Sequence, residues 1–140
     1  MENNLTSALK KESYDLIDFL PSPVEKGKGH YFKVEKYFHK HKDLIYAQYA
    51  DFFLKLYCYF DLNVEYKDKE YANPSCKKLV KLVERCAKEE HLLQVYANTA
   101  DFVLSGDDLY MTVYGLDDSM RSLVDELAKS SGLFLRQRTL

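Results

Sequence analysis

The chain has 140 residues, 46% of them hydrophobic and 30% charged, with a net charge of −2. That is enough to bury one core without staples, and it excludes a disordered chain, which needs low hydrophobicity and a large net charge. The sequence reads as a single domain over residues 1–140, with fraying expected at 1–4 and 137–140.

Residues 5–20 are expected to be helical, with Leu9, Leu16, Ile17 and Leu20 as an imperfect apolar stripe that Pro21 and Pro23 stop. SPVEKGKG follows as a linker; its Gly-Lys pair lacks the spacing of a phosphate-binding loop. From His30 to Leu62 the pattern is aromatic and helical. Tyr31, Val34, Tyr37 and Phe38 share a stripe, then Ile45, Tyr49, Phe52, Leu56 and Tyr59, with Tyr46, Phe53, Tyr57 and Phe60 beside it. An arc that wide predicts a helix buried on more than one side, with Asp51 and Lys55 paired at i,i+4 on its wet edge.

Residues 63–72 are polar, with a short edge strand expected around Val64 and Tyr66. Asn73-Pro74 reads as a cap and first-turn proline opening a helix that ends near His91. Its apolar face carries Cys76, Leu79, Val80, Val83, Cys86 and Ala87, and lysines take the other. Leu92–Ala97 and Asp101–Leu104 are strand candidates. Leu109–Tyr114 alternates, with Leu109, Met111 and Val113 facing one way and Tyr110, Thr112 and Tyr114 the other. Ser105-Gly106-Asp107-Asp108 joins the last two strands into a hairpin. Gly115-Leu116-Asp117 caps a helix with Met120, Leu123, Val124 and Leu127 buried; Gly132 ends it and Leu133-Phe134-Leu135 returns as a strand. The expected class is α+β: N-terminal helices packed on a small, mainly antiparallel sheet, with a C-terminal β-β-β-α-β segment.

Chemistry-bearing residues are sparse. Cys58, Cys76 and Cys86 have no paired spacing, which argues against a disulfide framework and a structural zinc site. His39 and His41, at i and i+2, point about 200° apart on a helix and cannot share an ion. His30 and His91 flank helix ends, where an imidazole serves capping or dipole roles. Asp101, Asp107 and Asp108 lack the alternate spacing and distal glutamate of a calcium loop; turn chemistry explains Gly106-Asp107-Asp108. No GxSxG, HExxH or GxGxxG occurs. Catalytic, cofactor and metal residues are therefore assigned to none. MENNLTSALKKES lacks the order of a signal peptide, and Leu44 to Phe60 falls short of the roughly 20 residues a bilayer needs. A cytosolic protein with no membrane partner is expected.

Charge is distributed unevenly. Residues 89–126 hold nine acids against Arg121 alone, whereas every other stretch is mildly basic. Such a block disfavours nucleic acid and suits a basic protein partner, or else serves as a solvated surface. Tyr110 and Tyr114 fall inside it. Either the N-terminal helices cover their strand face and both are core, or that face is open and both can anchor a partner.

The stretch DFVLSGDDLYMTVYGLDDSMRSLVDELAKSSGLFLRQ, residues 101–137, resembles the C-terminal part of small immunity proteins of bacterial polymorphic toxin systems, including contact-dependent growth inhibition. The shared features are the hairpin, the Gly-Leu-Asp helix start, the amphipathic helix and the Gly-Leu-Phe strand. The resemblance implies a non-enzymatic protein that binds one secreted toxin domain in the cytosol and blocks its active site or an essential surface. A basic toxin, such as a nuclease, would be met by Asp101, Asp107, Asp108, Asp117 and Asp118 with Tyr110 and Tyr114. Two alternatives stay open: a regulatory or adaptor protein binding a host protein through its helical half, around Lys33 to Lys42, and an unrecognised small enzyme.

Overall fold

The computed structural model describes residues 13–22 and 29–139. In chain order it contains β1 (Ser13–Asp18), α1 (Gly29–Lys40), α2 (Lys42–Tyr57), β2 (Asn63–Tyr66), β3 (Lys69–Ala72) and α3 (Cys76–Glu89). These are followed by β4 (Leu92–Ala97), β5 (Ala100–Ser105), β6 (Met111–Tyr114), α4 (Asp118–Ser130) and β7 (Phe134–Thr139). The strands form one seven-stranded sheet in the order β3-β2-β4-β5-β6-β1-β7, with every pairing antiparallel. The class is α+β, as the sequence pattern indicates.

Three helices cover one face of that sheet. α2 supplies Tyr49, Phe52, Phe53 and Leu56, all fully buried, and the rings of Phe52 and Phe53 pack on Phe102 of β5. α3 contributes Leu79, Leu82, Val83, Cys86 and Ala87; α4 contributes Met120, Val124, Leu127 and Ala128. They rest on alternate strand positions: Val64 and Tyr66, Leu93 and Val95, Phe102 and Leu104, Met111 and Val113, and Ile17. Each large apolar side chain buried there contributes about 1.5–3 kcal/mol. The Asp51–Lys55 pair spans 3.1 Å on the outer edge of α2.

Two buried tyrosines tie α2 to the sheet. The Tyr49 hydroxyl lies 2.7 Å from the Leu109 carbonyl and 2.9 Å from that of Ile17. The Tyr46 hydroxyl sits between the carbonyls of Ser105 and Asp108. Burial is the main cause that pushes both phenols up from their usual range, so they stay neutral donors. Gly106 completes the join. Its N–H donates to the His91 carbonyl at 3.1 Å, and a Cβ there would meet the Cys86 carbonyl at 2.0 Å. Only glycine lets this turn lie against α3.

Several expectations are corrected. Residues 13–18 are not helical: they form β1, an interior strand between β6 and β7, while residues 5–12 lie outside the described residues. Leu16 and Ile17 point to opposite faces of the sheet and both are buried, so the second face is covered at Leu16 as well. Asp15 and Asp18 are buried too, the first held by the Arg121 guanidinium at 2.7 and 3.2 Å and the second paired with Arg136. The order is therefore not helices first. Residues 63–72 form a complete β2–β3 hairpin whose turn residues Lys67 and Asp68 have φ of 49° and 63°.

The aromatic stretch from His30 to Leu62 is two helices broken at His41, and Val34 and Tyr37 on the first are exposed. α3 is capped by Ser75, whose hydroxyl accepts from Lys78 N at 3.1 Å. Asn73 instead adopts φ 47° and its side chain accepts from Leu62 N. Cys76, first in the helix, is exposed. At the C-terminus β7 pairs as far as Thr139 with Ser13, past the point where fraying is expected; residues 1–4 and most of the SPVEKGKG linker lie outside the described residues. Asp117 caps α4 and Gly132 has φ 79°, both as read from the sequence.

Candidate functional site

Alternation along the strands that sends Phe102, Leu104, Met111 and Val113 to the helices sends their neighbours to the opposite face. Cross-strand register arranges those neighbours in rows. One row runs Asn63, Tyr96, Asp101, Tyr114, each the direct partner of the next. The Tyr14 ring continues it, 5.9 Å from that of Tyr114. The adjacent row runs Glu70, Glu65, Gln94, Val103, Thr112, Leu16 and on to Arg136. Among the described residues, α2, α3 and α4 all pack on the other side. Tyr110 is 42% exposed and Leu92 39%; Tyr96, Asp101, Val103, Thr112 and Tyr114 are half-buried. The second strand face is thus not packed by these three helices, although Leu16, Asp18 and Gln94 on it are buried.

The face is acidic on one side. Glu65 and Glu70 stand directly opposite on β2 and β3, an arrangement that repels. The Tyr96 hydroxyl donates to Glu65 at 3.0 Å. Burial first, then that hydrogen bond and the charges of Glu65, Asp101 and Glu70, raise the Tyr96 phenol, so all three carboxylates act on one hydroxyl. At the far side the Arg136–Asp18 pair is locally neutral. Tyr114 is raised by burial and then by Tyr14 and Tyr110, which places three phenols together on this face. Two polar atoms in the second row, Gln94 Nε2 and Arg136 Nε, are buried without a hydrogen-bond partner.

The seven residues singled out in the sequence do not form one patch. Asp101, Tyr110 and Tyr114 lie on the face just described. Asp107 and Asp108 occupy the β5–β6 turn, toward the helix layer: Asp108 is half-buried, raised by burial and by Asp107, and lies near enough to His39 to be lowered by it. Asp117 is consumed as a cap, accepting from the Ser119 hydroxyl, Met120 N and Thr99, which in that order hold its carboxyl below the usual range. Asp118 is exposed in the first turn of α4. Other acids of the block are matched internally. Glu89 contacts Lys67 at 3.0 Å, Arg85 at 3.5 Å and the Tyr66 hydroxyl at 2.6 Å, and Glu90 lies 4.0 Å from Lys42. Tyr14, Tyr96, Glu65 and Glu70 belong to the face but carry no signal in the sequence until the strand register is known.

Of the remaining chemistry-bearing groups, Cys58 and Cys76 are exposed. Cys86 is buried on α3, its thiol pushed up to about 12 chiefly by burial. His39 and His41 are exposed, the latter ring lying tilted against Tyr37 at 4.4 Å between centroids. Among the described residues, no three His, Cys, Asp or Glu side chains converge as metal ligands, and no helix is long and apolar enough to cross a membrane. No family, characterised protein or solved structure matches the chain.

Proposed function

We propose that this chain is a non-enzymatic protein-binding inhibitor, an immunity protein that neutralises a cognate basic toxin, such as a nuclease, in the cytosol. The observation that carries this reading is the sheet's second face: away from the three helices it sets half-buried tyrosines and carboxylates in rows around a buried centre at Leu16 and Gln94, with Tyr110, Leu92 and Glu70 exposed. Tyrosine offers rigid contact area with a polar tip, and carboxylates steer a cationic partner while repelling phosphate backbones. The likeness of residues 101–137 to immunity proteins points the same way.

The test is co-expression with the product of the neighbouring open reading frame, scored for growth rescue and a co-purifying complex. Reversing Glu65 and Asp101 to lysine is expected to weaken that complex and flatten its salt dependence, while Glu126→Lys on α4 leaves both unchanged. Rescue that survives the double reversal removes this face from the account.

A second reading has its own observation. Phe32, Val34 and Tyr37 of α1 are 56, 45 and 58% exposed among the exposed lysines Lys33, Lys36 and Lys40. This favours an adaptor that binds an acidic host protein through α1, and complexes lost on reversing those lysines would support it.

A further inference from the structure

Residues 32–40 of α1 include no buried side chain. A helix of 12 residues is marginal in water unless tertiary packing takes up an apolar face. In α1 that packing is slight. Phe38 is half-buried with its ring 4.4 Å from that of Phe19, while Val34 and Tyr37 stay exposed. Leu44, just past the break at His41, is exposed as well. At about 100° per residue, Lys36, Lys40, Lys33, Tyr37 and Val34 follow one another around an exposed arc of about 160°. The three lysines fill one side of it and the apolar pair the other. None of these lysines has a partner among the described residues.

We propose that α1 docks on an anionic membrane surface, with Lys33, Lys36 and Lys40 against acidic phospholipid headgroups and Tyr37 and Val34 at the boundary between headgroups and acyl chains. Interfacial helices combine a lysine-rich side with an apolar one in this way. Lysine is drawn to an anionic leaflet, and tyrosine settles at headgroup level. Three other occupants fit less well. A second copy related by two-fold symmetry would bring lysine arc against lysine arc, which repels. A nucleic acid would pair with the lysines but leave Val34 and Leu44 in water. An acidic protein would have to bring a groove shaped to α1, whereas a fluid bilayer needs no matching shape. Surface docking requires no spanning helix, and among the described residues there is none. The contact is independent of the sheet's second face, and it is an alternative to an acidic host protein on the same helix.

The intact protein is sedimented with vesicles of phosphatidylcholine alone and with vesicles containing roughly one-third phosphatidylserine. Binding is expected only with the anionic vesicles, and it should be lost at about 1 M salt, where the screening length shrinks to about 3 Å. Lys33→Gln, Lys36→Gln and Lys40→Gln should each lower the partition about fivefold. Tyr37→Ser should lower it several-fold with the salt dependence unchanged. All four positions are exposed, so an unchanged circular dichroism spectrum and Tm separate loss of contact from loss of fold. Lys77→Gln and Lys81→Gln, at exposed positions of α3, should leave binding as it was. Equal binding to both kinds of vesicle, equal loss from the α3 pair, or no sedimentation with either vesicle overturns the proposal. Single-stranded RNA or polyglutamate bound through the same lysines, without vesicle binding, assigns α1 to another class of partner and overturns it too.

Discussion

Gly106→Ala isolates the contact that seats the β5–β6 turn on α3. The added Cβ would lie 2.0 Å from the Cys86 carbonyl oxygen and 2.6 Å from Glu90 Cα, whereas ordinary contact begins at 3.4 Å. Both neighbours are backbone, so a helix end or the turn must retreat by more than about 1 Å, and densely packed interiors resist such moves. Overpacking of this kind costs about 1–3 kcal/mol, offset by the several tenths that Gly→Ala gains through the unfolded chain. For 140 residues the unfolding entropy is about 0.3 kcal/mol/K, so a net loss near 2 kcal/mol lowers Tm by about 7 °C. Gly132→Ala is the control. There φ is +79° and the Cβ meets only the flexible Gln48 side chain, so a loss of about 1 kcal/mol is expected from the backbone alone. Thermal and urea denaturation followed by circular dichroism measure both. A Gly106→Ala protein melting within about 1 °C of the parent, or one less affected than Gly132→Ala, refutes the packing argument.

Three further outcomes follow from the same contacts. Tyr49→Phe removes a hydroxyl from a fully buried site and leaves the Ile17 and Leu109 carbonyls without it, costing about 1–3 kcal/mol in urea unfolding at unchanged m-value. Arg121→Met strands the buried Asp15 carboxylate and should cost about 2–4 kcal/mol, most of it recovered when Asp15→Leu is added; a double variant no better than the single contradicts the pairing. Glu89 is held down to about 2 by the Tyr66 hydroxyl, then Lys67 and Arg85. Its stabilisation is complete above its ordinary value of 4.5 and disappears as pH falls through about 2, so Glu89→Gln should flatten the acid limb of the Tm profile across that window.

What could be read from the sequence was local. The β5–β6 hairpin, the Asp117 cap, the Gly132 stop and strand β4 each declare themselves within a few residues, through turn chemistry or alternation. β1 does not. Its Asp15 and Asp18 look like the wet side of a helix because their partners, Arg121 and Arg136, lie 106 and 118 residues away. The β2–β3 hairpin was hidden because Lys67 and Asp68 adopt positive φ without a glycine to advertise the turn. The site divides the same way. Tyr110 and Tyr114 were visible from strand alternation, and Asp101 from its charge. Tyr96, Glu65 and Tyr14 join them only through pairings between strands distant in sequence. The acidic block overstated the surface, since Asp117 is spent on a helix cap and Glu89 on Lys67 and Arg85.

The most direct test of the proposed docking face is site-specific photo-crosslinking in cells that also produce the neighbouring open reading frame's product. A photoreactive residue replaces Thr112, at the middle of the face, or Lys81, exposed on α3 in the helix layer. The account predicts a crosslinked toxin adduct from position 112 and none from position 81. An adduct from position 81 with none from position 112 contradicts it.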